Sequence, residues 1–193
     1  MTPHPSSAVR EAPRERALDK TLVATCEPVV FRRLCESWPS VQVGHRSFDA
    51  LAEYLASFDS GHEVQGFVGP PEIEGRYFYS HGMAGFNFER ESMSVSTGLK
   101  RIQESAQDPA LDSVYLGSIP VRRHLPGFER DNALPAMPGE VEPRIWLGNR
   151  SHVSSHFDTY DNLACIVAGR RRFTLYPPHL IGELYVGPID NTM

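Results

Sequence analysis

Long apolar runs are missing from this chain, and several function classes go with them. The opening stretch, MTPHPSSAVREAPRER, has no apolar segment of the kind a secretion signal carries, and no window approaches a membrane span. An excess of basic residues is also absent. Nineteen Lys and Arg stand against 24 Asp and Glu, a net charge of −5, so there is no basic footprint for nucleic acid and no attraction to a membrane surface. Cysteine is scarce: Cys26, Cys35 and Cys165 are odd in number and lack metal spacing, and they read as reduced thiols of a cytoplasmic protein. Neither an internal repeat nor a low-complexity tract is visible. What is present is ordinary globular composition, 40% hydrophobic and 22% charged, in 193 residues, which suits one domain with a sizeable core. Residues 1–16 are rich in Pro, Ser and charge and are expected to form a flexible arm, leaving 17–193 as a single domain.

Patterning gives a coarse order of elements. A short helix is expected over 17–25 and a buried strand over 28–31. The clearest helix is 47–55, with Ser47 as N-cap and Phe48, Leu51, Tyr54 and Leu55 at helical spacing. Strands are expected over 63–68, 76–80, 114–117 and 144–147, and a helix over 97–105. The proline-rich stretch 120–143 reads as a long irregular connection. His45, His62, His81 and His124 lie among turns with no partner at metal-ligand spacing and read as surface or loop histidines.

The chemistry concentrates in RIWLGNRSHVSSHFDTYDNLACIVAGRRRFTLYPP, residues 144–178. In an extended segment, His156 and Asp158 share a face, since side chains two apart point the same way. An imidazole beside a carboxylate supplies two ligands of the 2-His-1-carboxylate set that holds iron(II). Leu163–Val167 and Arg171–Tyr176 read as a hairpin turning at Gly169 and stopped by Pro177-Pro178. Arg171, Phe173 and Leu175 share its more apolar face. Arg171 is thereby either carried inward to pair with an acidic ligand, or placed at the strand end to reach solvent.

His156, Asp158, Asn162, Gly169, Arg171 and Pro177-Pro178 together resemble, in order and spacing, the cupin-like JmjC proteins related to the asparaginyl hydroxylase acting on hypoxia-inducible factor. GRYFYSHGMAGFNFERESMSV, VYLGSIP and RIWLGN are similar to the bacterial branch, so the likeness runs over about residues 28–193. The resemblance implies a mainly β fold with α, a double-stranded β-helix (jelly roll) with N-terminal helices outside it. It implies an Fe(II)/2-oxoglutarate-dependent dioxygenase of hydroxylase type acting on a small-molecule or protein side-chain substrate. His156 and Asp158 would bind the metal. Arg171, Asn162 and Tyr115 would bind 2-oxoglutarate; for Tyr115 the plainer alternative is a half-buried tyrosine on a sheet.

The pattern also departs from that family. Lys stands there at the position of Arg171, and a co-substrate-binding Thr is matched by Val153, with Ser154 or Ser155 as substitutes. The family's second histidine comes from a later strand, so the resemblance implies missing C-terminal strands. Within the chain, His152 lies about 13 Å from His156 along a straight strand, and His179 would have to cross Pro177-Pro178. A non-catalytic cupin-like binding module lacking a complete metal site is the alternative function. An unpaired sheet edge would favour homo-oligomers.

Overall fold

The computed structural model describes residues 9–16, 19–83, 85–134 and 137–184. Its centre is a four-stranded antiparallel sheet made of β3 (Val64–Gly69), β4 (Glu89–Met93), β5 (Ser113–Pro120) and β6 (Arg144–Gly148), in the order β4-β3-β5-β6. Period-two alternation decides which side chains meet. Val64 and Val68 of β3, Met93 of β4, Val114, Leu116 and Ile119 of β5, and Ile145 and Leu147 of β6 fall on one face. Register aligns Gly66 with Leu116 and Leu116 with Leu147, which puts Leu116 at the sheet's centre, fully buried.

Two helices cover that face. In α3 (Phe48–Ala56), the Ser47 hydroxyl accepts from the Ala50 N–H at 3.0 Å, and Leu51, Ala52 and Leu55 point down onto the strands. In α4 (Val95–Gln107), the Ser94 hydroxyl accepts from the Thr97 N–H at 3.1 Å, while Val95, Leu99 and Ile102 form the apolar stripe. Each side-chain cap satisfies a donor the helix itself cannot. Close packing needs a glycine in α4: a β-carbon at Gly98 would lie 2.5 Å from Leu116 Cδ1.

The N-terminal layer holds β1 (Arg10–Glu11) paired in parallel with β2 (Val29–Val30), and the short helices α1 (Lys20–Val23) and α2 (Pro39–Gly44). Asn132 ties this layer down. Its Oδ1 accepts from the Ser40 N–H, and its Nδ2 donates to Tyr54 Oη and to the Phe128 carbonyl. Within 120–143 the chain makes two short helices, α5 (Val121–His124) and α6 (Phe128–Asp131), whose Val121 and Phe128 enter the core with Leu125. His124 is buried there, its Nδ1 3.3 Å from the His62 carbonyl and its ring edge-on to that of His62. Its surface reading is thereby corrected.

Two expected pairings do not form. Among the described residues, 76–80 make only isolated bridges, Arg76 with His152 and Tyr79 with Phe86. The Asn87 side chain takes the place of a neighbouring strand, accepting from the Phe78 N–H at 2.8 Å and donating to the Arg76 carbonyl at 2.8 Å. The hairpin over 163–176 has no ladder either, although Leu163, Cys165 and Val167 alternate in burial with Ala164 and Ile166 as a strand would. A two-stranded hairpin without a packed face is marginal in water. Here Phe173 and Leu175, expected to point inward, are 60% and 63% exposed. The fold observed is therefore a mixed α/β domain with an antiparallel sheet and helices. No helix among the described residues is long and apolar enough to cross a membrane.

Candidate active site

The face of the sheet opposite the helices carries the alternating positions Phe67, Tyr115 and Trp146. Phe67 and Tyr115 meet a cover of Tyr77, Phe86 and Phe88. The Tyr77 hydroxyl lies 2.9 Å from Ser113 Oγ. Ser113 Oγ donates its one proton to the Gly69 carbonyl, so the tyrosine is the donor of that pair. Phe67 and Phe88 meet edge to face at 5.3 Å, and Phe86 stacks on Phe88 at 4.9 Å. The Arg90 guanidinium caps this aromatic wall, 4.9 Å from the Phe86 centroid, a cation–π contact.

Tyr115 sits at the end of the wall. Gly148 pairs with it across β6, and a β-carbon at Gly148 would lie 2.9 Å from the Tyr115 ring. The missing side chain is what lets the ring lie across the neighbouring strand. Tyr115 is only 7% exposed, and burial pushes its phenol above the ordinary range. The Arg171 guanidinium beside it works the other way, by its positive charge. Arg171 makes no ion pair with a carboxylate among the described residues.

The His156-Phe157-Asp158 segment lies outside any strand, and all three residues are exposed, Phe157 to 76%. His156 Nδ1 is 2.8 Å from the Ser154 carbonyl. A carbonyl can only accept, so Nδ1 carries the proton, and in the neutral ring the lone pair is then on Nε2, the tautomer that ligates a metal. Asp158 Oδ2 accepts from Asn162 Nδ2 at 3.0 Å, and Oδ1 has no partner among the described residues. Asn162 Nδ2 also donates to the Tyr160 carbonyl at 3.1 Å.

The five expected site residues thus fall into two groups. Asp158 and Asn162 are joined, with His156 two residues away, and Arg171 lies beside Tyr115. No hydrogen bond links one group to the other among the described residues. An iron(II) site of the facial type needs two imidazoles and a carboxylate. His156 and Asp158 fit two of those positions by donor type. Among the described residues no group of three His, Cys, Asp or Glu could hold a metal ion. His152 is engaged elsewhere: its N–H donates to the Gly75 carbonyl and its ring meets Phe78. His179 lies in the 3₁₀ stretch Pro178–Leu184. Sequence reasoning passed over Gly148 and the aromatic wall, because both follow from strand register, which one chain read alone does not supply.

A sequence model of the cupin-like domain matches residues 15–193. The chain belongs to the cupin-like domain family. It is similar to the human bifunctional peptidase and (3S)-lysyl hydroxylase JMJD7, at 27% identity over 164 residues that cover 78% of this chain and 48% of that protein. It is also similar to JmjC domain-containing protein F of Dictyostelium discoideum, at 38% identity over 47 residues, or 24% of this chain and 10% of that protein. The chain therefore spans about half the length of the human relative and a tenth of the other.

Proposed function

We propose that this chain carries the core of an Fe(II)/2-oxoglutarate-dependent hydroxylase, built on a double-stranded β-helix whose inner wall is the aromatic face of the sheet. The observation that carries this reading is Arg171 held against the buried Tyr115 without a carboxylate partner of its own. A guanidinium so placed is a ready receptor for a small dicarboxylate, since its planar fork suits two-point binding. The similarity to a lysyl hydroxylase supports the reaction class and favours a protein side chain as substrate, with a small molecule as the other option. The pattern's resemblance to the asparaginyl hydroxylases would point the same way. Residues 17–193 would form the domain, with 1–16 as an arm docked on it where β1 pairs with β2, in a cytoplasmic protein that self-associates through the open edge of β6.

His156 Nε2 and Asp158 Oδ1 would hold the iron, with a third ligand from outside this pair. Bound there, iron would supply oxidative decarboxylation of 2-oxoglutarate coupled to hydroxylation of a substrate C–H. The chain's own residues set the stage. Asn162 fixes one oxygen of Asp158 and so aims the other. The Ser154 carbonyl fixes the imidazole tautomer. Arg171 and Tyr115 would anchor the far carboxylate of the co-substrate, and the aromatic wall keeps water from that end.

Succinate formed from 2-oxoglutarate in air tests the proposal. Turnover is expected to require added Fe(II) and to disappear in His156→Ala and Asp158→Ala. A specific observation favours the second reading, a non-catalytic binding module: no group of three candidate ligands comes together among the described residues. That reading predicts 2-oxoglutarate binding with no succinate above the level of the variants.

A further inference from the structure

Two turns far apart in sequence are pressed together beyond the end of β6. Glu74 and Gly75 both adopt left-handed backbone, with φ of 49° and 73°, and a β-carbon at Gly75 would strike the Arg150 carbonyl. The Gly75 carbonyl accepts from the His152 N–H at 2.9 Å, and Arg76 pairs with His152 in a parallel bridge. Arg76, Arg150 and His152 thereby line one cleft of about 540 Å³, within the usual range of ligand sites. Pro70, Pro71 and Leu111 give the same cleft apolar surface.

A smaller pocket of about 360 Å³ adjoins it, sharing Ser105, Asn149 and Arg150 and lined otherwise by Phe48, Ile102 and Ala106 with Gly148. Arg150 stands where the two meet. Neither Arg76 nor Arg150 makes an ion pair or a side-chain hydrogen bond among the described residues. Glu74 is the one acidic residue in either lining among the described residues, and Asp108 and Asp112 flank the cleft in sequence without lining it. In a chain of net charge −5 the cleft is thus a local excess of positive charge. A ligand that fills both pockets must carry negative charge at one end and apolar bulk at the other.

We propose that this joined cleft docks an acidic peptide, a segment of a partner protein with carboxylates for Arg76 and Arg150 and a bulky apolar residue for the pocket at Phe48. Charge complementarity selects the partner: a guanidinium fork suits a carboxylate, and an unpaired one has no internal contact to give up on binding. The apolar side chain adds affinity by leaving water against Phe48, Ile102 and Ala106. The left-handed turn at 74–75 holds Arg76 in place before any ligand arrives, which lowers the cost of ordering it. The cleft also borders residues 149–152, and that segment runs on to His156. A peptide docked here would lie along the approach to the iron site, a link that rests on the hydroxylase reading, whereas the docking itself does not.

The test follows the fluorescence anisotropy of a labelled peptide, Gly-Glu-Leu-Glu-Glu-Leu-Gly, titrated with the full chain in the absence of iron and 2-oxoglutarate. Saturable binding is expected, weaker as salt is raised and about 10-fold weaker when Gln replaces Glu in the peptide. Ser in place of Leu should also weaken it. Arg76→Ala and Arg150→Ala should each cost about 10-fold in affinity, with melting unchanged because both side chains are exposed. Arg76→Glu with Arg150→Glu should turn the preference to the same peptide carrying Lys for Glu. No saturable binding, equal binding of the Glu and Gln peptides, or equal binding by the parent and the arginine variants would each overturn the proposal. Displacement of the peptide by 2-oxoglutarate would overturn it too, by placing the peptide at Arg171. Succinate formation is not part of this readout, so the docking and the hydroxylase readings fail separately.

Discussion

The two faces of one sheet have been put to different uses. The face under α3 and α4 is filled by branched aliphatic side chains, packed until Gly98 leaves no room for a methyl group beside Leu116. The opposite face carries aromatic rings, a buried phenol and an arginine, and at β6 it opens to solvent with Trp146 43% exposed. Stability belongs to the first face, and the proposed recognition to the second. Substitutions on the two faces should therefore separate folding from binding.

The largest effect should come from the helix face. Leu116→Ala removes a fully buried side chain at the centre of the sheet and should lower stability by about 2–5 kcal/mol. A urea titration with unchanged slope measures it, and a loss under about 1 kcal/mol would mean that this face can collapse around the gap. Next comes the link between faces. Asn149 Oδ1 accepts from the Val114 N–H, and its Nδ2 donates to the Ile102 carbonyl, so it joins α4 to the sheet. Asn149→Ala strands these groups and should lower stability by about 1–3 kcal/mol in the same titration.

A smaller, pH-dependent effect should come from Asp59. Burial alone would raise its carboxyl, but hydrogen bonds from Ser96, Gly61 and Ser94 outweigh that and hold it below the usual range. A lowered folded value means the carboxylate stabilises the fold fully above about pH 4, the unfolded range, and that this contribution is lost as pH falls through the folded value. Melting temperature across that acid window should fall less steeply in Asp59→Asn than in the parent. The smallest effect should come from the far side. Phe173→Ser, at an exposed position, should leave stability within about 0.5 kcal/mol. A loss of several kcal/mol would show that the ring packs against something the described residues do not contain.

The same contrast explains what could be read from the sequence. The helix face was legible, because helical spacing and Ser47 define α3 without knowledge of anything else, and strands 63–68, 114–117 and 144–147 lie within a few residues of β3, β5 and β6. Each rests on local pattern and burial. The site face was legible only as residue types. His156, Asp158, Asn162 and Arg171 stood out by spacing, yet their segment forms no hairpin, and Arg171 reaches Tyr115 without strand pairing. Strand 76–80 failed for a related reason: the Asn87 amide replaces a backbone ladder, and alternation does not register a side chain acting as a strand. The cleft at Arg76 and Arg150 has no local signature at all, since it depends on how two distant turns meet.

An anaerobic titration with Fe(II) and 2-oxoglutarate tests the central claim most directly, namely that the His156–Asp158 pair and the Tyr115–Arg171 pair serve one ligand. The account predicts a weak visible charge-transfer band that needs both additions. His156→Ala should abolish it, and Arg171→Ala should weaken 2-oxoglutarate binding about 10- to 100-fold, as loss of a charge-assisted contact would. A band of equal strength and midpoint in the parent and both variants would contradict the claim.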